Sequence, residues 1–150
     1  MKKLVIASLV ALAATTASAW DLGVSASRDF SGTDHDSVGV TFGKTYSNGV
    51  GFAAGFARDA TKLSDQDRYS LTGSYDVVKF GGSTVSVKAG SVFMANSVGA
   101  NGSALVVGAG LKVPLTNTVS ATFDASRQYG QDRVKQYDGN RVTVGVSYNF

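Results

Sequence analysis

The chain ends in the nine-residue stretch VTVGVSYNF, from Val142 to Phe150, in which apolar residues alternate with small or polar ones. Side chains of an extended chain point alternately to its two faces. One face therefore carries an apolar stripe, which consists of Val142, Val144, Val146, Tyr148 and Phe150. This pattern predicts a β-strand with one face against lipid and the other against a polar interior.

The same two-residue period recurs along the rest of the chain. Alternating segments of about ten residues are separated by clusters of Gly, Asn, Asp and Ser, which is typical of membrane barrels. The pattern predicts eight strands, at about 20–30, 37–46, 50–59, 68–80, 84–95, 104–113, 118–129 and 140–150. An even number of antiparallel strands allows the last to close on the first. We therefore predict an all-β fold, an eight-stranded antiparallel up-and-down transmembrane β-barrel.

The predicted connections alternate between short and long. Tight turns at 47–49, 81–83 and 114–117 contain Asn-Gly, Gly-Gly or Pro, whereas the connections at 31–36, 60–67, 96–103 and 130–139 are longer and polar. In outer-membrane barrels the short turns and both chain ends face the periplasm, and the longer loops face outside. The longest and most charged loop is the prime candidate for a contact surface, through Arg133, Lys135 and Asp138.

Aromatic residues fall near both ends of the predicted strands, as two membrane-interface girdles require. One group consists of Trp20, Tyr46, Phe80, Tyr148 and Phe150, and the other of Phe30, Tyr69, Phe93 and Tyr129. Two places depart from the pattern. Lys44 falls at a position whose side chain should point towards lipid, but it lies near enough to a strand end for its ammonium group to reach water. Residues 76–80 cannot keep one register throughout, which predicts a β-bulge.

The first nineteen residues have the features of a secretory signal peptide. A short basic region precedes the uncharged apolar run from Leu4 to Ala14, and Ala17-Ser18-Ala19 matches a small-residue cleavage site. We predict that residues 1–19 are a cleaved signal peptide and that 20–150 form one outer-membrane barrel domain. Removal of Lys2 and Lys3 lowers the formal net charge of +3 by two, to +1.

Composition excludes several classes of function. No basic patch interleaved with aromatic residues remains in 20–150, so nucleic acid is not an expected partner. The chain has no cysteine, which excludes disulfides, thiolate catalysis and cysteine metal sites. We predict no cofactor and no metal site.

The whole of 20–150 resembles the small eight-stranded outer-membrane barrels of the OmpA, OmpX and opacity-protein type. The resemblance rests on the architecture and on the terminal Tyr148-Asn149-Phe150. It implies a bacterial outer-membrane location, and it implies that Tyr148 and Phe150 are an assembly signal. It also implies that periplasmic chaperones and the barrel-assembly machinery are partners during biogenesis, and that outer-membrane lipid and lipopolysaccharide surround the finished protein.

Two functional classes follow from this prediction. The first is a structural or surface-interaction barrel whose extracellular loops contact a surface partner. The second is a narrow pore for small polar solutes. It is suggested by four charged residues that alternate with the apolar ones and should therefore point into the barrel: Lys88, Lys112, Asp124 and Arg141. Buried charges are usually paired, so Lys88 and Asp124 could equally form an ion pair that plugs the lumen.

Two further alternatives receive weaker support. A lipid-modifying enzyme could use His35 with Asp34, Asp36 and Ser37, which are a base, two acids and a nucleophile close together in sequence. A soluble lipocalin-like carrier would also show alternating strands, but with apolar side chains inside. Against the carrier, the glycines of the strands fall mainly on the non-apolar parity, which suits a narrow interior better than a water-facing exterior.

Overall fold

The computed structural model describes residues 20–30, 35–59, 66–96, 101–130 and 138–150. They form eight strands: β1 (Trp20–Phe30), β2 (His35–Thr45), β3 (Val50–Asp59), β4 (Gln66–Phe80), β5 (Ser83–Asn96), β6 (Gly102–Pro114), β7 (Val119–Gly130) and β8 (Gly139–Asn149). Each strand pairs antiparallel with the next, and β8 pairs with β1, so the sheet is a closed barrel. The predicted fold class is confirmed. Residues 1–19, predicted to be a signal peptide, lie outside the described residues, and that assignment stays a prediction.

None of the described residues belongs to a helix long and apolar enough to cross a membrane.

The ends of the described chain close the barrel. The backbone N–H of Trp20 donates to the carbonyl oxygen of Phe150 at 2.9 Å, and the N–H of Phe150 donates back to Trp20 at 3.0 Å. These bonds continue the β1–β8 ladder to its last residue. Closure leaves no unpaired sheet edge in the described barrel.

Three strands, β2, β4 and β6, begin two residues earlier than the sequence predicts, and two of these starts include aspartates that were assigned to loops. β2 begins at His35 and β4 at Gln66, so the prediction that Asp36 and Asp67 lie in loops is wrong. Asp36 is the cross-strand partner of Arg28, and Asp67 is that of Arg58. Their carboxylates lie 3.7 Å and 2.8 Å from these arginines. Polarity indicated a loop, but charge pairing across the ladder keeps both residues in strands.

The earlier start of β2 also changes the connection lengths. The β1–β2 connection spans only 31–34 and is no longer than the turn at 46–49, so the predicted short–long alternation is not strict. The turns themselves have the expected chemistry, since Gly49, Gly81 and Gly82 have φ of 84°, 54° and 81°. We call the barrel end that contains these turns, Trp20 and Phe150 the turn end, and the opposite one the loop end.

Large apolar side chains cover the outside of the barrel. Val38 and Leu71, for example, expose 61% and 60% of their surface. The exposed set follows the predicted parity and includes Leu22, Val24, Val40, Phe56, Val87, Leu105, Phe123, Val142, Val144 and Val146. A soluble carrier would bury these side chains, so that alternative is overturned. Both predicted aromatic girdles are also present at the outer surface of the two ends.

The predicted bulge lies in β4, at Val77. Asp76 pairs with Ser86 and Val78 pairs with Val85, which leaves Val77 without a partner in the β4–β5 register. An extra residue of this kind reverses the face that each later residue occupies.

The reversal decides which side chains of β4 lie on the outer face at the turn end. Val78 and Phe80 lie on the outside and are more than half exposed. Lys79 lies on the inner side of the rim, with its Nζ 3.3 Å from the carboxylate of Asp76. Without the bulge, Lys79 would point towards lipid and the two apolar residues would point inward.

Glycine allows close strand contact at the inner face. A Cβ added to Gly90 of β5 would overlap the carbonyl oxygen of Leu71 and lie 2.7 Å from the Cα of Thr72. Both of these atoms belong to the backbone of β4 and cannot rotate away. Gly73, on the outer face, is different, since an added Cβ would have its nearest contact at 3.9 Å.

Replacing Gly90 with Ala is expected to lower the free energy of unfolding by about 1–3 kcal/mol, because the β4 backbone has to move. The matched control, Gly73→Ala, should change it by less than about 0.5 kcal/mol. Urea unfolding in lipid vesicles measures both values. Equal stability of the two variants would contradict the close approach at Gly90.

Candidate functional site

The interior of the barrel is the candidate site, and it has two different halves. At the loop end, polar and apolar side chains fill the cross-section. We call this group the lumen plug; it comprises Asp29, Ser37, Asp59, Gln66, Arg68, Val92, Met94, Ala104, Gln128 and Arg141. All eight strands contribute to it. At the turn end there is a cavity of about 380 Å³.

Arg68 is at the centre of the plug, with only 2% of its side chain exposed. Its Nη2 lies 2.6 Å from Oδ2 of Asp29 on β1 and 2.9 Å from Oδ2 of Asp59 on β3. Its Nε also donates to Asp59, at 3.2 Å. Because Arg68 is on β4, these contacts connect strands on different sides of the lumen.

Arg141 approaches the same carboxylates from β8. Its Nε donates to Oδ1 of Asp29 at 2.6 Å, and its Nη2 donates to the hydroxyl of Ser37 at 2.9 Å. The Nη2 atom is also 4.0 Å from Oδ1 of Asp59. Two arginines and two aspartates thus alternate around a ring with zero net charge, which is how buried charges become tolerable.

The remaining side of the plug is largely apolar. Val92 and Met94 of β5 pack with Ala104 of β6, and Val106 lies against them. Gln66 and Gln128 are also buried. Within the described part of the chain, the Nε2 atom of Gln66 and the Oε1 atom of Gln128 have no hydrogen-bond partner. The ion ring and this apolar cluster together occupy the interior of the barrel at the loop end.

The turn-end cavity has a hydrophilic lining of small residues. Hydroxyl groups come from Ser25, Thr41, Thr72, Ser74, Ser86, Thr122, Thr143 and other residues. At about 30 Å³ for each water molecule, the volume is enough for roughly a dozen waters. The two lysines of the interior also line this cavity.

Each interior lysine has a carboxylate partner. Lys88 forms an ion pair with Asp124, and Nζ of Lys112 is 2.6 Å from Oδ1 of Asp21. Gly110 makes room for the first pair, since a Cβ there would overlap Asp124 and come within 2.9 Å of Nζ of Lys88. These pairs lie at the wall and do not fill the cavity.

The structure therefore places all four predicted lumen residues inside, but in two groups. Arg141 belongs to the plug, whereas Lys88, Lys112 and Asp124 line the cavity. The sequence analysis missed the rest of the ion ring, Asp29, Asp59 and Arg68. The alternation of side chains would have placed all three inside, because each is an odd number of residues away from an outward-facing residue on its own strand.

The predicted loop contacts fall mainly outside the described residues, which include neither Arg133 nor Lys135. Asp138 is described, and its carboxylate accepts a hydrogen bond from the N–H of Gly130, at the start of that connection. The predicted assembly residues Tyr148 and Phe150 lie on the outer wall with ring centroids 6.0 Å apart.

The grouping of His35, Asp36 and Ser37 considered for a lipid-modifying enzyme is not formed by the described residues. His35 and Ser37 share the inner face of β2, whereas Asp36 lies on the outer face beside Arg28. Asp34 lies outside the described residues. The Ser37 hydroxyl is bound to Arg141. In the described ranges no three His, Cys, Asp or Glu side chains group in a way that could hold a metal ion.

Arg68→Met should lower the free energy of unfolding by about 3–5 kcal/mol, because it leaves two buried carboxylates with one arginine. Arg58→Met is the matched control, since Arg58 lies on the exposed outer face of the same two-strand ladder and pairs with Asp67. Its cost should not exceed about 1 kcal/mol. Denaturant titration of both variants tests this, and similar costs would contradict a buried ring.

Comparison with known proteins places the fold. No protein-family model matches the chain, and no curated protein sequence does. Among solved structures, the N-terminal β-barrel domain of Pseudomonas aeruginosa OprF superposes with a TM-score of 0.71 at 20% identity, covering 88% of this chain and 97% of that one. Neisserial surface protein A superposes with a TM-score of 0.66 at 16% identity, covering 88% and 96%.

A designed transmembrane β-barrel also matches, with a TM-score of 0.59 at 13% identity, covering 87% of this chain and 95% of the design. Identities this low establish the fold alone. Taken with the apolar outer face, they identify the fold of a small eight-stranded outer-membrane β-barrel.

Proposed function

We propose that this protein is an integral outer-membrane barrel with a structural or surface-interaction role, and that its lumen does not conduct solutes. The location is supported by the apolar outer face, the two aromatic girdles and the shared fold. In this proposal the barrel is a scaffold, and the loop end carries the contacts.

The lumen plug is the observation that carries the proposal. Arg68 contacts carboxylates on both β1 and β3, and Arg141 joins from β8. A solute would have to break several charge-assisted hydrogen bonds in a site that is almost completely buried. A ring that must be dismantled for each passage favours a closed interior over a diffusion pathway.

The narrow pore remains the second candidate, and the turn-end cavity is what favours it. That cavity has hydroxyl-lined walls and a volume sufficient for water. It extends along only part of the barrel, however, because the plug occupies the loop end. The two candidates therefore differ in one measurable property, ion conductance.

Planar-bilayer recordings of the wild-type protein are expected to show no discrete conductance steps. The double variant Asp59→Ala/Arg68→Ala should introduce steps, because it removes one positive and one negative side chain while the Arg141–Asp29 pair remains. The matched control is Arg58→Ala/Asp67→Ala, which removes an ion pair from the outer face of the same strands. It should stay silent.

Discrete steps from the wild-type protein would overturn the non-conducting proposal and favour the pore. Silence of the Asp59/Arg68 double variant, with heat-dependent gel migration showing a folded barrel, would show that the plug is not what closes the lumen.

The loop between β7 and β8 is the proposed contact surface, on the evidence of its sequence. Arg133 and Lys135 are suited to lipopolysaccharide phosphates, with Asp138 closing the loop through Gly130. During biogenesis the proposed partners are periplasmic chaperones and the barrel-assembly machinery, which would read Tyr148 and Phe150. No catalytic activity forms part of the proposal.

Replacing residues 131–137 with a Gly/Ser segment of equal length should reduce binding to lipopolysaccharide-containing vesicles several-fold, because Arg133 and Lys135, the cations suited to the phosphates, are lost together with only one carboxylate, Asp132. Flotation with labelled protein measures the binding. Replacement of the turn at 115–118, at the opposite end, is the control and should leave it unchanged. Undiminished binding after the 131–137 replacement would exclude this loop as the contact surface.

A further inference from the structure

An aromatic cluster occupies the outer wall at the turn end of β1, β2 and β3. The Trp20 ring stacks on Phe42, with centroids 4.7 Å apart and planes inclined by 8°. The same ring meets Phe52 edge-on at 5.7 Å, and Phe52 also contacts Tyr46 at 6.2 Å. Stacked and edge-on contacts of this kind are favourable aromatic geometries, so the rings form one packed surface at the turn-end rim.

Lys44 lies in the middle of this cluster, on the lipid-facing side. Its Nζ is 5.4 Å from the centroid of the Trp20 ring and 5.1 Å from that of Tyr46. Cross-strand pairing with Trp20 on β1 and Phe52 on β3 places it between the two aromatic strands. Cation–π contact therefore holds the ammonium group at the rim.

The surroundings of Lys44 differ from those of every other lysine in the described ranges. Lys79, Lys88 and Lys112 each have a carboxylate within ion-pair distance. For Lys44 the only charge-related contacts in the described structure are the two aromatic rings. Aromatic rings orient an ammonium group without neutralising its charge. Lys44 is thus a positioned cation with no carboxylate of the described residues within ion-pair distance.

We propose that Lys44, Trp20 and Tyr46 form a binding site for the phosphate headgroup of an anionic glycerophospholipid. The inference rests on the proposed membrane location, because the turn end of an outer-membrane barrel faces the periplasmic, phospholipid leaflet. A headgroup phosphate at the rim supplies the missing counter-ion, while the acyl chains lie along the apolar wall. The ammonium group favours a headgroup with net negative charge over a zwitterionic one.

The sequence provides a reporter for this site, because Trp20 is the only tryptophan. The protein is reconstituted in phosphatidylcholine vesicles containing increasing fractions of a lipid with brominated acyl chains, which quenches tryptophan on contact. Titrations with brominated phosphatidylglycerol and with brominated phosphatidylcholine give the relative occupancy of the position next to Trp20. One lysine near a membrane surface predicts a preference of about fivefold for the anionic lipid.

Lys44→Gln should reduce this preference to about one, and Lys44→Arg should retain it. Lys79→Gln is the matched control, since it removes a lysine at the same end of the barrel that already has a carboxylate partner. Its preference should equal that of the wild type. Heat-dependent gel migration verifies that each variant is folded.

Three outcomes would overturn the proposal. Equal quenching of the wild-type protein by both lipids would show that no anionic-lipid site exists beside Trp20, although the barrel would still be in the membrane. If Lys79→Gln also lost the preference, the preference would come from the general charge of this barrel end and not from a site at Lys44. Reversal of the preference by millimolar glycerol phosphate would assign the site to a free phosphate ester. Absence of quenching by either lipid would instead contradict the membrane location itself.

Discussion

Backbone hydrogen bonding without water is the constraint on which the structure depends. In the hydrocarbon region each unpaired N–H or C=O group costs several kcal/mol, so a sheet there must close on itself. The reciprocal bonds between Trp20 and Phe150 complete that closure at the turn end. Once the ladder is closed, the side chains have only two environments, lipid outside and a narrow interior.

Closure with eight strands makes the interior small. The small interior explains why glycine and paired charges are found there. Glycine at positions such as Gly90 and Gly110 admits neighbouring strands and ion pairs where a methyl group would collide. The charged groups inside are matched, with Arg68 and Arg141 against Asp29 and Asp59. Outside, charges lie near the two ends of the barrel, and those of β1 to β4 at the loop end pair across neighbouring strands, as Arg58 does with Asp67.

Much of the fold was predictable, because the two-residue period of a strand is a property of residues that are adjacent in the sequence. The alternation in 142–150 gave the correct outward face, and the irregular run at 76–80 correctly predicted the bulge. Strand bounds were harder, because Asp36 and Asp67 are polar residues that continue a ladder through their arginine partners. That pairing depends on the neighbouring strand, which local polarity does not describe.

The sequence by itself determined the number of strands, the face that residues occupy where the alternation is regular, and the apolar exterior, because these depend on a two-residue period within each strand. Only the tertiary structure decided which charges meet. Arg141 and Asp29 are 112 residues apart, and Lys112 and Asp21 are 91 apart, yet barrel closure and cross-strand register bring each pair into contact. The division into a plugged half and a half with a cavity of about 380 Å³ follows from those contacts, because register sets the height of every side chain in the lumen.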